Sequence, residues 1–237
     1  IREGYGLTET SPVVSFNRFE PGGNHFGTVG MAVPGVELRI SGQNEAGEGE
    51  IEVRGPNVFM GYLHLPDETA AHFTPDGWLK TGDVGTLVHK RFLKITGRAR
   101  DIFKTSSGKF IAPQFIENQL VATGFIENAL VVGLNRPAVS AVVLPDFGAL
   151  KSWCDAQKIH WTGPQFMLLN PKVERFFEKI ITEMNEELAP HERVRHYRLV
   201  HEPWTAETGE LTPTLKLRRA FLMEQFSKMI EEMYREG

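Results

Sequence analysis

Thr81-Gly82-Asp83 and, fourteen residues later, Gly97-Arg98 carry the most specific chemistry in this sequence. A glycine turn can present the aspartate, whose carboxylate can accept both hydroxyl protons of a ribose diol. The Arg98 guanidinium adds fixed N–H donors and a positive charge suited to a phosphate. Thr-Gly-Asp alone is a common turn, in which the aspartate stabilises the backbone. The pattern therefore indicates a nucleotide site only in combination with other motifs.

Two further segments carry groups of the same kind. Tyr5-Gly6-Leu7-Thr8-Glu9-Thr10 lies upstream. Its aromatic ring can stack on a base, its hydroxyls can hold phosphate oxygens, and Glu9 supplies the hard oxygen that Mg²⁺ prefers. Downstream, Leu211-Thr212-Pro213-Thr214-Leu215-Lys216 ends in a lysine that could begin an amphipathic helix. Taken singly, the first segment would be a surface loop and the lysine a solvated side chain.

The order and spacing of these motifs resemble the acyl-adenylate-forming superfamily, which includes acyl-CoA synthetases, adenylation domains of peptide synthetases and firefly-type luciferases. The resemblance implies a site for ATP with Mg²⁺. Within it, Tyr5 would stack on adenine, Thr8 would bind the α-phosphate and Glu9 would hold the magnesium. Asp83 and Arg98 would contact the ribose. The match to the family's Tyr-Gly-x-Thr-Glu segment is complete.

The resemblance also implies roles for residues near and beyond Arg98. Arg100 would be the hinge between a large and a small domain, although family members carry aspartate or lysine there. Lys216 would reach the adenylating site and neutralise the developing charge, an electrostatic form of catalysis. Lys104 would serve the thioester-forming state. The other loop residues implied on that CoA-binding side are Ser107, Gly108 and Lys109.

Other interpretations of single motifs are weaker. Residues 105–109 are similar to the end of a Walker A loop, but the first glycine of that motif would fall at Phe103, which excludes a simple P-loop. Residues 49–55, with Gly61-Tyr62, also resemble a family segment, which we interpret as a hairpin strand and a turn because it offers no reactive group. The residues interpreted as packing side chains rather than ligands are Trp78 and Cys154.

The composition excludes several classes of protein. The chain has 237 residues, 41% hydrophobic, which is enough for one large or two small packed domains. A net charge of −4 and the lack of a basic patch interleaved with aromatics predict no nucleic-acid partner. The single Cys154 excludes an internal disulfide and favours a reducing, cytoplasmic compartment. No membrane span or signal peptide is visible, and peripheral membrane contact through upstream regions stays open.

Hydrophobic periodicity predicts an α+β fold. We expect residues 1–97 to be the β-rich C-terminal portion of a large AMP-binding domain. Alternation in residues 36–40 and 50–54, around Gly47-Glu48-Gly49, predicts a hairpin. Residues 98–237 are predicted to form a small mobile C-terminal domain, mixed α/β around a short sheet.

Local signals predict the individual elements after the hairpin. Helices are expected over residues 67–73, from Pro113 to near Gly124, over residues 146–158, from Pro171 after an Asn170 cap, and in a last segment carrying Leu222, Phe226, Met229 and Met233. Strands are expected at residues 129–134, 138–144 and 197–201.

The lysine motif, continued by Arg218-Arg219, is most similar to long-chain acyl-CoA synthetases, whose small domain is also extended. We therefore interpret the chain, which opens with Ile1, as the C-terminal part of a long-chain fatty acid–CoA ligase. Its substrates would be ATP, a fatty acid and CoA, and its partner the upstream part of its own chain. Because the family's phosphate loop lies upstream, this part alone should be inactive. The alternatives are a ligase that passes the acyl group to a carrier protein and a non-catalytic module derived from the family.

Overall fold

A computed structural model of the chain contains two compact units, Ile1–Asp101 and Ile102–Gly237. The structure describes residues 2–44 and 47–235. The assignment of residues 1–97 to a large domain and of residues 98–237 to a small mobile domain stays a prediction.

Antiparallel strands dominate the described part of the first unit. Strands β1, β2 and β3 form one sheet, and β4, β5, β6 and β7 form another in that order. The elements are β1 Gly4–Tyr5, β2 Ser15–Phe16, β3 Met31–Ala32, β4 Glu37–Ser41, β5 Gly49–Arg54, α1 Pro66–His72, β6 Leu79–Val88 and β7 Phe92–Arg98. The predicted hairpin is confirmed as β4 and β5, which pair from Glu37 opposite Arg54 to Ser41 opposite Glu50. The predicted short helix is α1.

Trp78 precedes β6 and is a packing residue, as predicted. Its indole is buried, and the guanidinium carbons of Arg39 and Arg54 each lie 4.5 Å from the ring centroid. Arg39 also pairs with the carboxylates of Glu52 and Asp76. The cations therefore cover the ring while their charges are neutralised by neighbouring acids.

The second unit is built around the sheet β10-β11-β12. Strands β10 and β11 are antiparallel, and β11 and β12 are parallel. The elements are β8 Phe103–Lys104, β9 Phe110–Ile111, α2 Pro113–Ala122, β10 Ile126–Val132, β11 Val139–Pro145, α3 Phe147–Ala156, α4 Pro164–Met167, α5 Pro171–Glu186, β12 Val194–Leu199, α6 Arg219–Gln225 and α7 Ser227–Arg235.

Alternating residues of β10 and β11 face two different hydrophobic clusters. Val131 and Val143 pack with α2, α3 and α5, whereas Leu130 and Leu144 pack with α6 and α7. Because successive side chains of a strand point to opposite faces, a sheet covered on both sides has nearly continuous apolar strands. The predicted apolar runs have this origin, and the predicted α+β fold is confirmed.

Helices α3 and α5 both begin with a side-chain cap, and the Asn170 cap of α5 is the one that the sequence predicts. The Asp146 carboxylate accepts hydrogen bonds from the N–H groups of Gly148 and Ala149, each at 2.9 Å. The Asn170 side chain accepts one from the Lys172 N–H at 2.9 Å. Such caps satisfy donors that a helix leaves free at its first turn. These helices therefore begin where the sequence places them.

Two expectations about the C-terminal segment are wrong. The last helix is divided into α6 and α7, because Phe226 adopts φ −98° and ψ 11° with its ring 5.9 Å from that of Trp204. Lys216 does not begin a helix, since α6 starts at Arg219. Within the described residues, no helix has the length and apolar character to cross a bilayer.

Candidate functional site

Thr81-Gly82-Asp83 forms a bulge inside β6 instead of the free turn suggested by its sequence. Glu50 pairs with Val84 and Glu52 pairs with Lys80, so these three residues stand opposite Ile51 alone. The Thr81 hydroxyl donates to the Ile51 carbonyl at 2.7 Å, and Gly82 has φ +70°. A bulge of this kind re-aims the side chain that follows it. Here that side chain is Asp83.

Arg98 and Tyr5 form a cluster around the buried Asp83 carboxylate. Strand register places Asp83 directly opposite Arg98, and the Arg98 Nε lies 3.0 Å from Asp83 Oδ1. The Tyr5 hydroxyl donates to Asp83 Oδ2 at 2.6 Å. Burial, then the charge of Asp83 and the hydrogen bond to it, raise the pKa of the Tyr5 hydroxyl far above its ordinary value. Each oxygen has one protein partner, and a carboxylate has about four acceptor sites, so capacity for two ligand hydroxyls remains.

The backbone after Tyr5 is tightly held. A Cβ atom on Gly6 would lie 1.5 Å from the Pro12 carbonyl oxygen, so this close approach requires glycine. The buried Thr10 hydroxyl donates to carbonyls within the same loop and accepts from the Leu7 N–H at 2.9 Å. The Asn57 amide donates to the carbonyls of Thr10 and Val13 at 3.0 and 2.9 Å. The loop is therefore fixed from inside and by a neighbouring segment.

Thr8 and Glu9 begin a 3₁₀ turn in this loop. The Thr8 side chain is exposed, whereas Glu9 is half-buried and its Oε1 accepts a hydrogen bond from the Tyr62 hydroxyl at 2.8 Å. Burial, followed by the hydrogen bond to Glu9, raises the pKa of Tyr62 to about 12. Tyr62 is thus a neutral donor that orients the carboxylate. The sequence suggested only a structural role for Tyr62.

Glu9 could hold a magnesium ion only together with ligands from outside the chain. Mg²⁺ is usually held by one or two carboxylates together with substrate phosphates and water. One half-buried carboxylate with a hydrogen-bonded orientation meets that need. Among residues 2–44 and 47–235, His, Cys, Asp and Glu form no group of three or more that could hold a metal by themselves.

Lys104 and the loop that follows it lie in the second unit. Lys104 is exposed on β8, and its Nζ lies 4.5 Å from the ring centroid of Phe110 on β9. In the connecting loop, the Thr105 hydroxyl lies 2.9 Å from that of Ser107, and the Gly108 N–H donates to the Thr105 carbonyl at 2.9 Å. The Thr105 N–H donates to the Lys109 carbonyl at 2.9 Å.

The loop carrying Lys216 has the same hydrogen-bond pattern. The Thr212 N–H donates to the Lys216 carbonyl at 2.8 Å, and the Leu215 N–H donates to the Thr212 carbonyl at 2.8 Å. The Thr212 hydroxyl lies 3.0 Å from that of Thr214 and accepts from the Lys216 N–H at 3.0 Å. Leu215 lies in the left-handed region with φ +59°. It holds the position in this loop that Gly108, with φ +78°, holds in the loop of residues 105–109. Lys216 therefore corresponds in backbone geometry to Lys109.

A buried ion pair lies close in sequence to Lys216. Glu117 on α2 accepts a hydrogen bond from the Val131 N–H at 2.8 Å and pairs with the guanidinium of Arg219, the first residue of α6. The Glu117 carboxylate is buried and Arg219 is largely so. The pair therefore ties the chain just after Lys216 to the core of the unit.

Two other residues singled out in the sequence, Arg100 and Cys154, do not belong to the Asp83 cluster. Arg100 is exposed, and its Nε lies 3.8 Å from Asp101 Oδ1, so the hinge assignment stays a prediction. Cys154 is fully buried, as expected for a core thiol, and burial raises its pKa. A groove of about 720 Å³ between α2, α3 and α5 includes none of the predicted site residues.

Comparison with known families identifies the chain. The family model described as "AMP-binding enzyme" matches residues 1–63, and the family model described as "AMP-binding enzyme C-terminal domain" matches residues 100–237. The chain belongs to the AMP-binding enzyme family. The resemblance inferred from the motifs is thereby confirmed.

Individual relatives refine the comparison. Long-chain-fatty-acid–CoA ligase FadD15 of Mycobacterium bovis is 38% identical over 99% of this chain and 38% of its own length. Human long-chain-fatty-acid–CoA ligase 6 is 35% identical over 99% of this chain and 34% of its own length. The chain thus spans little more than a third of the length of these relatives.

Solved structures agree on the fold. The adenylation domain of a carboxylate reductase from Mycobacterium chelonae superposes with a TM-score of 0.73 at 25% identity, covering 99% of this chain and 34% of that one. A second structure is the A domain of a carboxylic acid reductase from Segniliparus rugosus, in complex with AMP and a co-purified carboxylic acid. It superposes with a TM-score of 0.72 at 25% identity, covering 99% of this chain and 35% of that one.

Proposed function

We propose that this chain is the C-terminal part of an AMP-forming long-chain fatty acid–CoA ligase. In the proposed reaction, a fatty carboxylate attacks the α-phosphorus of ATP and releases pyrophosphate. The CoA thiolate then attacks the acyl carbonyl of the acyl adenylate, and AMP leaves as the thioester forms. The observation that carries the proposal is the buried Asp83 carboxylate, held by Arg98 and Tyr5 at the motif positions for ribose binding.

The first unit would bind the nucleotide. Asp83 has spare acceptor capacity for two ribose hydroxyls, and Arg98 fixes the carboxylate from the opposite strand. Tyr5 would offer its ring to the adenine. Thr8, whose hydroxyl is exposed, would donate to the α-phosphate, and Glu9 would hold the Mg²⁺ that neutralises phosphate charge.

The second unit would supply a different lysine in each half-reaction. Lys216 would stabilise the negative charge that develops during adenylation, because a pre-positioned cation needs no reorganisation in the transition state. Lys104 and the loop of Ser107, Gly108 and Lys109 would serve thioester formation. The exchange would require rotation about Arg100, where hinge residues absorb backbone dihedral changes without needing a particular side chain.

The proposal also includes the upstream part of the same chain as an obligatory partner. The family's phosphate loop and acyl pocket would come from that part, so the present chain alone should form no thioester. The relatives at 35–38% identity are named as CoA ligases. A carrier protein is the alternative acyl acceptor.

The test separates the two half-reactions in the full-length protein. Lys216→Ala should slow acyl-adenylate formation, followed by pyrophosphate exchange, by about a hundredfold, since one lost pre-aimed charge costs about 3 kcal/mol. Thioester formation from supplied acyl adenylate and CoA should stay near the parent rate. Lys228→Ala, which removes an exposed lysine from α7, is the matched control and should change neither step. Equal loss in both half-reactions would show that Lys216 has no step-specific role.

A second variant tests the nucleotide site. Asp83→Asn keeps the side-chain volume but replaces one of the two carboxylate oxygens by an amide N–H₂ group. The side chain then has one acceptor atom where it had two, and it no longer carries the charge that pairs with the Arg98 guanidinium. We expect the KM for ATP to rise by at least tenfold, with the KM for CoA unchanged. An unchanged KM for ATP would mean that Asp83 serves the fold alone.

A further inference from the structure

Four basic side chains converge on a pocket at the start of α5. Lys158, His160, Lys172 and Arg175 line this concave surface of about 530 Å³, and all four are exposed. Within the part of the chain that the structure describes, none of these side chains forms an ion pair or a hydrogen bond. The positive charges of Lys158, Lys172 and Arg175 are therefore directed at solvent and not at protein acids.

Most of the residues that line this pocket belong to a stretch of sequence without acidic residues. Residues 156–173 contain no Asp or Glu, although the chain has 30 acids and a net charge of −4. Asp155 and Glu174 flank that stretch but do not line the pocket. The segment thus carries a local positive potential on a negatively charged chain, which favours an anionic partner.

Two large apolar side chains protrude beside the basic pocket. Phe166 is 57% exposed and Leu169 is 79% exposed, and the Leu169 N–H donates to the Phe166 carbonyl at 3.2 Å. Side chains three residues apart on a helical turn point to the same side. Met167, between them, is buried in the core and anchors the turn. Phe166 and Leu169 are therefore held out in water on a fixed support.

We propose that this surface, the α4–α5 patch of Lys158, His160, Phe166, Leu169, Lys172 and Arg175, docks on an anionic lipid bilayer. Phe166 and Leu169 would enter the headgroup region while the basic groups contact lipid phosphates. Apolar insertion combined with basic residues is the chemistry that peripheral membrane binding requires. A free phosphate would leave the two apolar side chains without a role. The inference does not depend on the ligase reaction.

Co-sedimentation of the chain with lipid vesicles tests the proposal. We expect binding to phosphatidylcholine vesicles that contain about one third phosphatidylserine and much weaker binding to pure phosphatidylcholine, with the difference falling as salt is added. Each basic residue near an anionic surface contributes about fivefold, so Lys172→Gln/Arg175→Gln should lower partitioning about twenty-five-fold. Lys228→Gln/Arg235→Gln makes the same charge change on α7 and should leave binding unchanged.

The apolar part of the patch has its own test. Phe166→Ser/Leu169→Ser should weaken binding about tenfold or more while thermal unfolding stays unchanged, and Leu169→Ala is the milder second variant. Wild-type binding by both apolar variants, or equal binding to the two vesicle types, would overturn the proposal. So would a lack of vesicle binding combined with protection of Lys172 from amine-reactive labelling by inorganic phosphate, which would identify a soluble phosphate site.

Discussion

Replacing Glu117 by alanine tests how the chain next to Lys216 is held. Glu117 bonds to the Val131 N–H and pairs with Arg219, which lies three residues after Lys216 in sequence. Removing one partner of a buried ion pair costs about 3–5 kcal/mol, and here the Arg219 guanidinium would lose its contact with the Glu117 carboxylate. The Arg219 side chain is 20% exposed against 7% for Glu117, so it can regain some hydration. We therefore expect the free energy of unfolding to fall by about 3 kcal/mol.

Urea unfolding followed by tryptophan fluorescence provides the measurement. Three of the four tryptophans, Trp153, Trp161 and Trp204, lie in the second unit and report on it. Glu117→Gln keeps an acceptor for the Val131 N–H and should cost less, about 1.5–2 kcal/mol. The exposed Glu186→Ala on α5 is the matched control and should stay within about 0.5 kcal/mol of the parent.

A double-mutant cycle decides whether the two residues act as a pair. Glu117→Gln combined with Arg219→Met should cost less than the sum of the single variants, by about 1–3 kcal/mol. Strict additivity, or a cost below about 1 kcal/mol for Glu117→Ala, would refute the reasoning. In that case the ion pair would contribute little to holding α6.

Three further outcomes follow from local geometry. Leu215→Gly should raise the free energy of unfolding by about 0.5–1 kcal/mol, because the left-handed φ that costs a leucine about 1–2 kcal/mol costs glycine only the entropy of its ordering. Gly108→Leu makes the opposite change at the equivalent position and should lower the free energy of unfolding in the same urea assay. Gly6→Ala should displace the loop after Tyr5 and lower the melting temperature. Gly22→Ala has open space around it but a φ of +74°, so it should add only local left-handed strain and leave the loop after Tyr5 in place. Tyr62, with a pKa raised from 10.0 to about 12, contributes stability that is present below pH 10 and lost as the pH rises toward 12. In the Tyr62→Phe variant, the free energy of unfolding should therefore fall less steeply between pH 10 and 12. If the variant shows the same fall as the wild type, Tyr62 is not the group responsible.

Elements with local signals were predictable. Helices α3 and α5 begin at the expected positions because Asp146 and Asn170 are neighbours of the N–H groups they satisfy. The division between α6 and α7 was not, because it has no glycine or proline to mark it. The Phe226 N–H still donates to the Leu222 carbonyl at 2.9 Å, and only φ and ψ at Phe226 interrupt the helix.

The sequence suggests residues for a candidate site but does not predict how they are arranged. Asp83 and Arg98 meet because the bulge and the β6–β7 register place them opposite each other, and register depends on pairing over long range. Glu9 and Tyr62 are 53 residues apart, and Glu117 and Arg219 are 102 apart, so no local pattern links them. The proposed ligand roles of all the site residues stay predictions, namely those of Tyr5, Thr8, Glu9, Asp83, Arg98, Lys104 and Lys216.

Because the loops at residues 105–109 and 212–216 share one backbone conformation, either sequence should be able to replace the other. Each closes through its own threonine and reverses at a left-handed residue, so a graft of either sequence into the other position should close in the same way. Lys109 and Lys216 would then occupy identical backbone settings. Whatever distinguishes the two lysines must come from the anchoring strands and helices on either side, and a reciprocal graft would transfer the loop without transferring its function.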